Sequence, residues 1–75
     1  MTLNQLKPGQ SASIVQLNLT HTHFSQHCND LGIAIGNEVE LMRRAPGRGP
    51  LQIKVLGTLY AIRPADAENI QVSLP

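Results

Sequence analysis

Leu31-Gly32-Ile33-Ala34-Ile35-Gly36-Asn37-Glu38-Val39-Glu40-Leu41-Met42-Arg43-Arg44-Ala45-Pro46 is the stretch on which the fold turns. Gly32 suits the left-handed residue just past a helix, where a side chain would clash. Gly36-Asn37 tolerates the positive dihedrals of a tight turn. From Glu38 the pattern becomes alternation, with Val39 and Leu41 set against Glu38 and Glu40, the period of a half-buried strand. That strand is expected over Glu38 to Ala45. It breaks at Pro46-Gly47-Arg48-Gly49-Pro50, a loop closed at both ends by proline.

Working outward, Leu51, Ile53 and Val55 alternate with Gln52 and Lys54 and supply the second arm of a hairpin. Gly57-Thr58 turns the chain into Leu59-Tyr60-Ala61-Ile62. Arg63 to Asn69 reads as one helical turn with Pro64 at its start, and Ile70, Val72 and Leu74 as a final strand. On the other side, Phe24, Cys28 and Leu31 fall at i, i+4 and i+7, one stripe of a short helix between Thr20 and Gly32 that Thr22 caps at its start. Lys7-Pro8-Gly9-Gln10 has the residues of a type II turn. A first strand follows from about Ser11 to Leu19, and adjacent Ile14 and Val15 indicate a bulge or a shift of face. Short strands joined by glycine turns imply a small barrel or sandwich.

The chain has 75 residues and a formal net charge of +1. It is expected to form a single domain over residues 1–75. Ordering it costs roughly 1.5 kcal/mol per residue, and so small a domain buries only about 60% of its extended surface, so stability is modest. Phe24 and Tyr60 are the only aromatics, so the core must be aliphatic. The near-neutral charge gives no pull towards nucleic acid or an anionic membrane. One cysteine, Cys28, permits no internal disulfide, which suits a reducing cytoplasm. Met1-Thr2-Leu3-Asn4-Gln5 lacks the basic and then apolar pattern of a secretion signal. No apolar run approaches the roughly 20 residues that span a bilayer.

Three groups of residues invite chemistry. His21-x-His23 with His27-Cys28 offers nitrogen and sulfur donors to a soft divalent metal. Cys28, however, belongs to the packing stripe, and Asp30 is the only nearby carboxylate, so no metal site is expected and folding should need none. Arg43, Arg44, Arg48 and Lys54 carry positive charge without an acid between them, a face for phosphates or an acidic protein patch, or else a solvated strand end. If Ala45 pairs with Leu51, Met42 lies opposite Lys54 and Glu40 sits diagonally from it. Arg43 then shares parity with Val39 and Leu41 and emerges at the rim, its stem over apolar surface. Arg48, between glycines on a loop, has the exposure of an arginine finger or of a solvated charge. No nucleophile–base set, paired carboxylates or phosphate-binding glycine loop occurs, so the chain is not expected to be an enzyme.

The sequence resembles the FeoA family over nearly its whole length. Leu6-Lys7-Pro8-Gly9 is similar to the family's Leu-x-Pro-Gly entry, and Asp30-Leu31-Gly32-Ile33-x-x-Gly36 to its Asp-Met-Gly-Leu-x-x-Gly signature. Arg43-Arg44-Ala45-Pro46 with Pro50 resembles the Ala-Pro-x-x-x-Pro loop. Ile62-Arg63 and Ala67-x-x-Ile70-x-Val72 resemble the closing Leu-Arg and Ala-x-x-Ile-x-Val. Ile35 stands where the family often has proline, and histidines stand in a helix usually rich in arginine and leucine.

The resemblance implies a mainly β, SH3-like β-barrel of five or six short strands with one short helix between the first two. It implies a cytoplasmic regulator of ferrous iron uptake that acts by contact with the cytosolic region of FeoB, the membrane permease with a GTPase domain. Such a protein is peripheral to the membrane only through its partner and needs no cofactor; self-association stays open. The expected contact surface joins the helix exit (Leu31, Ile33) to the basic hairpin end (Arg43, Arg44, Arg48). The alternatives are an SH3-like peptide- or nucleic-acid-binding module, or a small metal-binding protein using the His/Cys cluster. Scarce aromatics oppose the first two, since both base stacking and proline-peptide grooves use aromatic walls.

Overall fold

The computed structural model describes residues 1–18, 28 and 30–75. Alternation along the sequence becomes alternation of burial. Val39 and Leu41 on β2 (Glu38–Arg44) are buried, as are Leu51, Ile53 and Val55 on β3 (Leu51–Val55), while Lys54 between them is exposed. With β1 (Ser11–Leu17), β4 (Thr58–Ile62) and β5 (Ile70–Ser73) they form one antiparallel sheet in the order β4-β3-β2-β1-β5. Ala12, Ile14, Ile62, Ile70 and Val72 complete its apolar face, against which Leu3, Leu6, Ile33 and Ala67 pack from outside the strands. The mainly β, SH3-like expectation is met, with one qualification. The hydrogen-bonded ladder is open, because β4 and β5 do not pair with each other among the described residues. Thr2 adds a single antiparallel bridge to Gln71, the rudiment of a sixth strand.

The long β1–β2 connection ends in a helical turn that includes Cys28, Asp30 and Leu31. The rest of the expected helix, with Thr22, Phe24, His21, His23 and His27, lies outside the described residues. Gly32 has φ +81, and the Ile33 N–H donates to the Cys28 carbonyl at 2.8 Å. That is the closure in which a left-handed glycine lets the next residue cap the last turn. Cys28 and Ile33 are both buried, so the cap also seals an apolar contact. The following turn departs from expectation. Gly36 takes positive φ but Asn37 does not; instead the Asn37 side-chain amide donates to the Gly32 carbonyl at 2.7 Å and ties the turn to the helix end.

Two bulges re-aim side chains. In β1 the register shifts between Ile14 and Gln16, leaving Ile14 buried and Val15 49% exposed. The strand ends at Leu17; Leu19, its expected end, lies outside the described residues. In β2 Glu40 faces Lys54 directly; the register then shifts between Leu41 and Arg43, so that Arg43 faces Gln52 and Arg44 faces Leu51. The expected Ala45–Leu51 register is corrected: Arg44 takes the place opposite Leu51, and one extra residue at Met42 exchanges the two faces on either side of it. β3 and β4 are joined through Leu56 and Gly57, with φ +50 and +81, rather than through Gly57 and Thr58. A two-residue loop with both central φ positive is the hairpin turn whose twist matches the strands.

Candidate interaction site

The bulge in β2 decides what lies at the end of the hairpin. Past it, Arg44 shares the parity of buried Leu51, while Arg43 shares that of Gln52 on the solvent face. The Arg44 guanidinium bends across the open end of the sheet. One nitrogen donates to the Asn4 side-chain oxygen at 3.0 Å. The other donates to the main-chain carbonyls of Asn4 and of Leu6, the latter at 3.1 Å. Those carbonyls belong to the 3-10 turn Leu3–Gln5 and the residue after it. Arg44 thus joins the middle of the sheet to the N-terminal segment.

A second arginine approaches from the other wall. Arg63 is extended at the start of the short helix Pro64–Ala67, whose first position is the favoured one for proline. Its guanidinium forks onto Asp66, with Nε–Oδ2 at 2.9 Å and a second nitrogen to Oδ1 at 3.3 Å. Asp66 holds the Arg63 pKa above its ordinary value, chiefly through that hydrogen bond and secondarily through its charge. Asp66 is itself the one buried charged residue among those described. Burial first, and the charge of Asp66 second, push the Cys28 thiol above its ordinary pKa. The thiol is buried in the apolar core cluster.

Between these walls lies a cleft of about 680 Å³, lined by Arg44, Arg48, Arg63, Asn4, Pro50, Pro64 and Glu68 among others. Arg48 reaches it from the hairpin loop and has no hydrogen bond or ion pair among the described residues. Its loop is narrow, since a side chain at Gly49 would meet the Ala45 Cβ at 2.6 Å. Glu68 accepts a hydrogen bond from Asn4 at 3.3 Å. Three guanidinium groups thus face one lining carboxylate, with Asp66 balancing Arg63 alone. Unmatched cations on concave walls of alanine, glycine and proline favour an anionic, extended ligand.

The structure brings Arg44 and Arg48 together and sends Arg43 away, to a smaller hollow of about 200 Å³ beside Gln52 and Ala61. Ile33 is 1% exposed and belongs to the core, and Leu31 is half-buried at its margin. Neither lines the cleft. The expected rim position of Arg43, with its stem over the core, passes to Arg44 for the reason given by the bulge. Arg63 and Asn4 were missed as site residues. The spacing Arg63-x-x-Asp66 around Pro64 was the available signal for Arg63; nothing local marks Asn4, which arrives by tertiary folding. His21, His23 and His27 lie outside the described residues, and among those described no three His, Cys, Asp or Glu residues are grouped as a metal site. No helix among the described residues is long and apolar enough to cross a membrane.

With the geometry in place, comparison with known proteins becomes informative. A family model described as the FeoA domain matches residues 1–74. The solution structure of FeoA from Chlorobium tepidum is 28% identical, with a TM-score of 0.89 over 99% of this chain and 70% of that one. The zinc complex of Stenotrophomonas maltophilia FeoA is 30% identical, with a TM-score of 0.81 over 97% of this chain and 89% of that one. That protein is described as a prokaryotic SH3 domain protein and a candidate activating factor of ferrous iron transport. A manganese-dependent transcriptional repressor shares the fold, at 12% identity and a TM-score of 0.87 over all of this chain and 41% of that one. None of the curated proteins matches the chain.

Proposed function

The chain belongs to the FeoA family, whose members are accessory to ferrous iron transport, and on that premise we propose that it is a cytoplasmic regulator that binds the cytosolic region of the FeoB permease. The observation that supports the reading is the cleft in which Arg44, Arg48 and Arg63 converge against Glu68. An acidic, extended segment of the permease fits such a cleft: carboxylates meet the guanidinium forks, and the alanine, glycine and proline walls admit a main chain. Binding regulates transport only if the cleft prefers one state of the permease's GTPase or gate, because a ligand shifts an equilibrium by its differential affinity. Ferrous iron is the transported cargo in this reading and requires no ligand from the chain itself.

The test is Arg48→Glu, an exposed loop substitution that changes stability by less than about 0.5 kcal/mol. Titration calorimetry against the purified cytosolic region of the permease should show weakened binding and a shallower dependence on salt, with an unchanged melting curve. Arg43→Glu, on the opposite face, should leave the affinity as it was. Equal losses in both variants, or none in either, would move the contact away from the cleft.

A further inference from the structure

We propose that the chain self-associates into a twofold dimer by pairing β4 with β4 of a second copy, extending the sheet across the two molecules. The phase of the hairpin carries the argument. Leu56-Gly57 is a two-residue loop, which makes Val55 and Thr58 a hydrogen-bonded pair. Bonded and non-bonded pairs alternate along an antiparallel ladder. Ile53 with Tyr60 and Leu51 with Ile62 are therefore bonded, whereas Lys54 with Leu59 and Gln52 with Ala61 are not. The main-chain N–H and C=O groups of Leu59 and Ala61 consequently point outward, away from β3. They have no hydrogen-bond partner among the described residues.

A second copy supplies apolar counterparts both to exposed Leu59 and to half-buried Tyr60. An antiparallel copy placed on a twofold axis through Tyr60 sets Leu59 against Ala61 of the second copy, and Ala61 against its Leu59. Each becomes a hydrogen-bonded pair, and all four outward groups are used in each chain. On the solvent face those pairs join Leu59, 52% exposed, to the small exposed Ala61. On the core face Tyr60 meets its own copy across the axis in the closer, non-bonded position, where aromatic pairs stabilise strand pairing. Thr58-Leu59-Tyr60-Ala61-Ile62 contains no charge and no proline, two of the devices that blunt an edge. Among the described residues the cations beside this edge on the solvent face are Lys54, opposite Leu59, and Arg43, which shares a hollow with Gln52 and Ala61; salt weakens the repulsion between the copies. A foreign strand would exploit the same four groups, but nothing on β4 selects a charge pattern in it. The internal match favours a second copy.

Sedimentation equilibrium of the full chain from micromolar to millimolar concentration tests the proposal, with amide hydrogen exchange at both extremes. The expected result is a monomer–dimer equilibrium in which the Leu59 and Ala61 amides slow as concentration rises. Leu59→Lys should raise the dissociation constant about tenfold or more, because both symmetry copies of the cross-strand pair are lost. Its melting curve in the monomeric range should stay unchanged, and Val15→Lys, an equally exposed apolar site on β1, should leave the dimer intact. A chain that stays monomeric at millimolar concentration would overturn self-pairing and leave the edge to a foreign strand. So would a dimer whose dissociation constant is indifferent to Leu59→Lys and whose slowed amides lie elsewhere.

Discussion

β5 and β4 stand at opposite edges of one sheet and are finished in different ways. Beside β5 runs the N-terminal segment: Thr2 bridges Gln71, and the Val72 N–H donates to the Met1 carbonyl at 2.8 Å. Leu3 and Leu6, 0% and 1% exposed, pin that segment into the core, and Arg44 at the end of β2 holds its carbonyls. Among the described residues β4 is joined to the sheet only along β3, through a turn that places a leucine at positive φ. One edge is protected by a distant part of the chain, and the other is left with its hydrogen-bonding groups outward.

The contrast can be broken most severely at its anchor. Leu3→Ala removes a fully buried side chain and should lower stability by about 2–5 kcal/mol in urea denaturation. Loss of the Val72 amide's exchange protection at partial denaturant would show that the β5 edge opens first. Arg44→Ala comes next. Deleting a charged donor to three oxygens, partly open to water, should cost about 1–2 kcal/mol. Arg43→Ala should stay within about 0.5 kcal/mol, and the pair of denaturation curves reads out which face each arginine serves.

The β4 hairpin should respond in the opposite direction. Leu56 carries φ +50 and is 72% exposed, while its side chain rests over Gly32. Leu56→Asn replaces it with a residue that tolerates that dihedral and should raise stability by about 0.5–1 kcal/mol, seen as a higher denaturation midpoint. A fall instead would mean that the contact with Gly32 outweighs the backbone strain. The smallest effect is a pH slope. The Cys28 thiol has its pKa raised from an ordinary 9.0, so burial favours its protonated form in the folded state. That contribution is complete below pH 9.0 and is lost as pH rises through the higher folded value. The melting temperature of the native chain should therefore fall more steeply with alkaline pH than that of Cys28→Ala.

Much of this was legible along the chain. Gly32 as the helix-ending residue, the Lys7–Gln10 turn, the shift of face near Ile14 and Val15, and the helical turn at Pro64 all appeared as expected. Each depends on a residue's own dihedral preference or on a short apolar period, and such constraints are local. The family resemblance rested on the same punctuation. The bulge at Met42 was not legible, because an inserted residue leaves alternation almost intact on either side while exchanging the faces between them. Its consequence is that Arg43 takes the solvent face while Arg44 turns onto the carbonyls of Asn4 and Leu6.

The sequence by itself determined a small, aliphatic, mainly β domain, the succession of its strands along the chain and the glycine at which its helix ends, because period and backbone preference are written residue by residue. Tertiary structure alone decided which arginines share a cleft and which edge of the sheet is covered. Those outcomes depend on Asn4 meeting Arg44 and on Thr2 meeting Gln71. The partners lie far apart along the chain, and only packing of Leu3 and Leu6 into the common core brings them together.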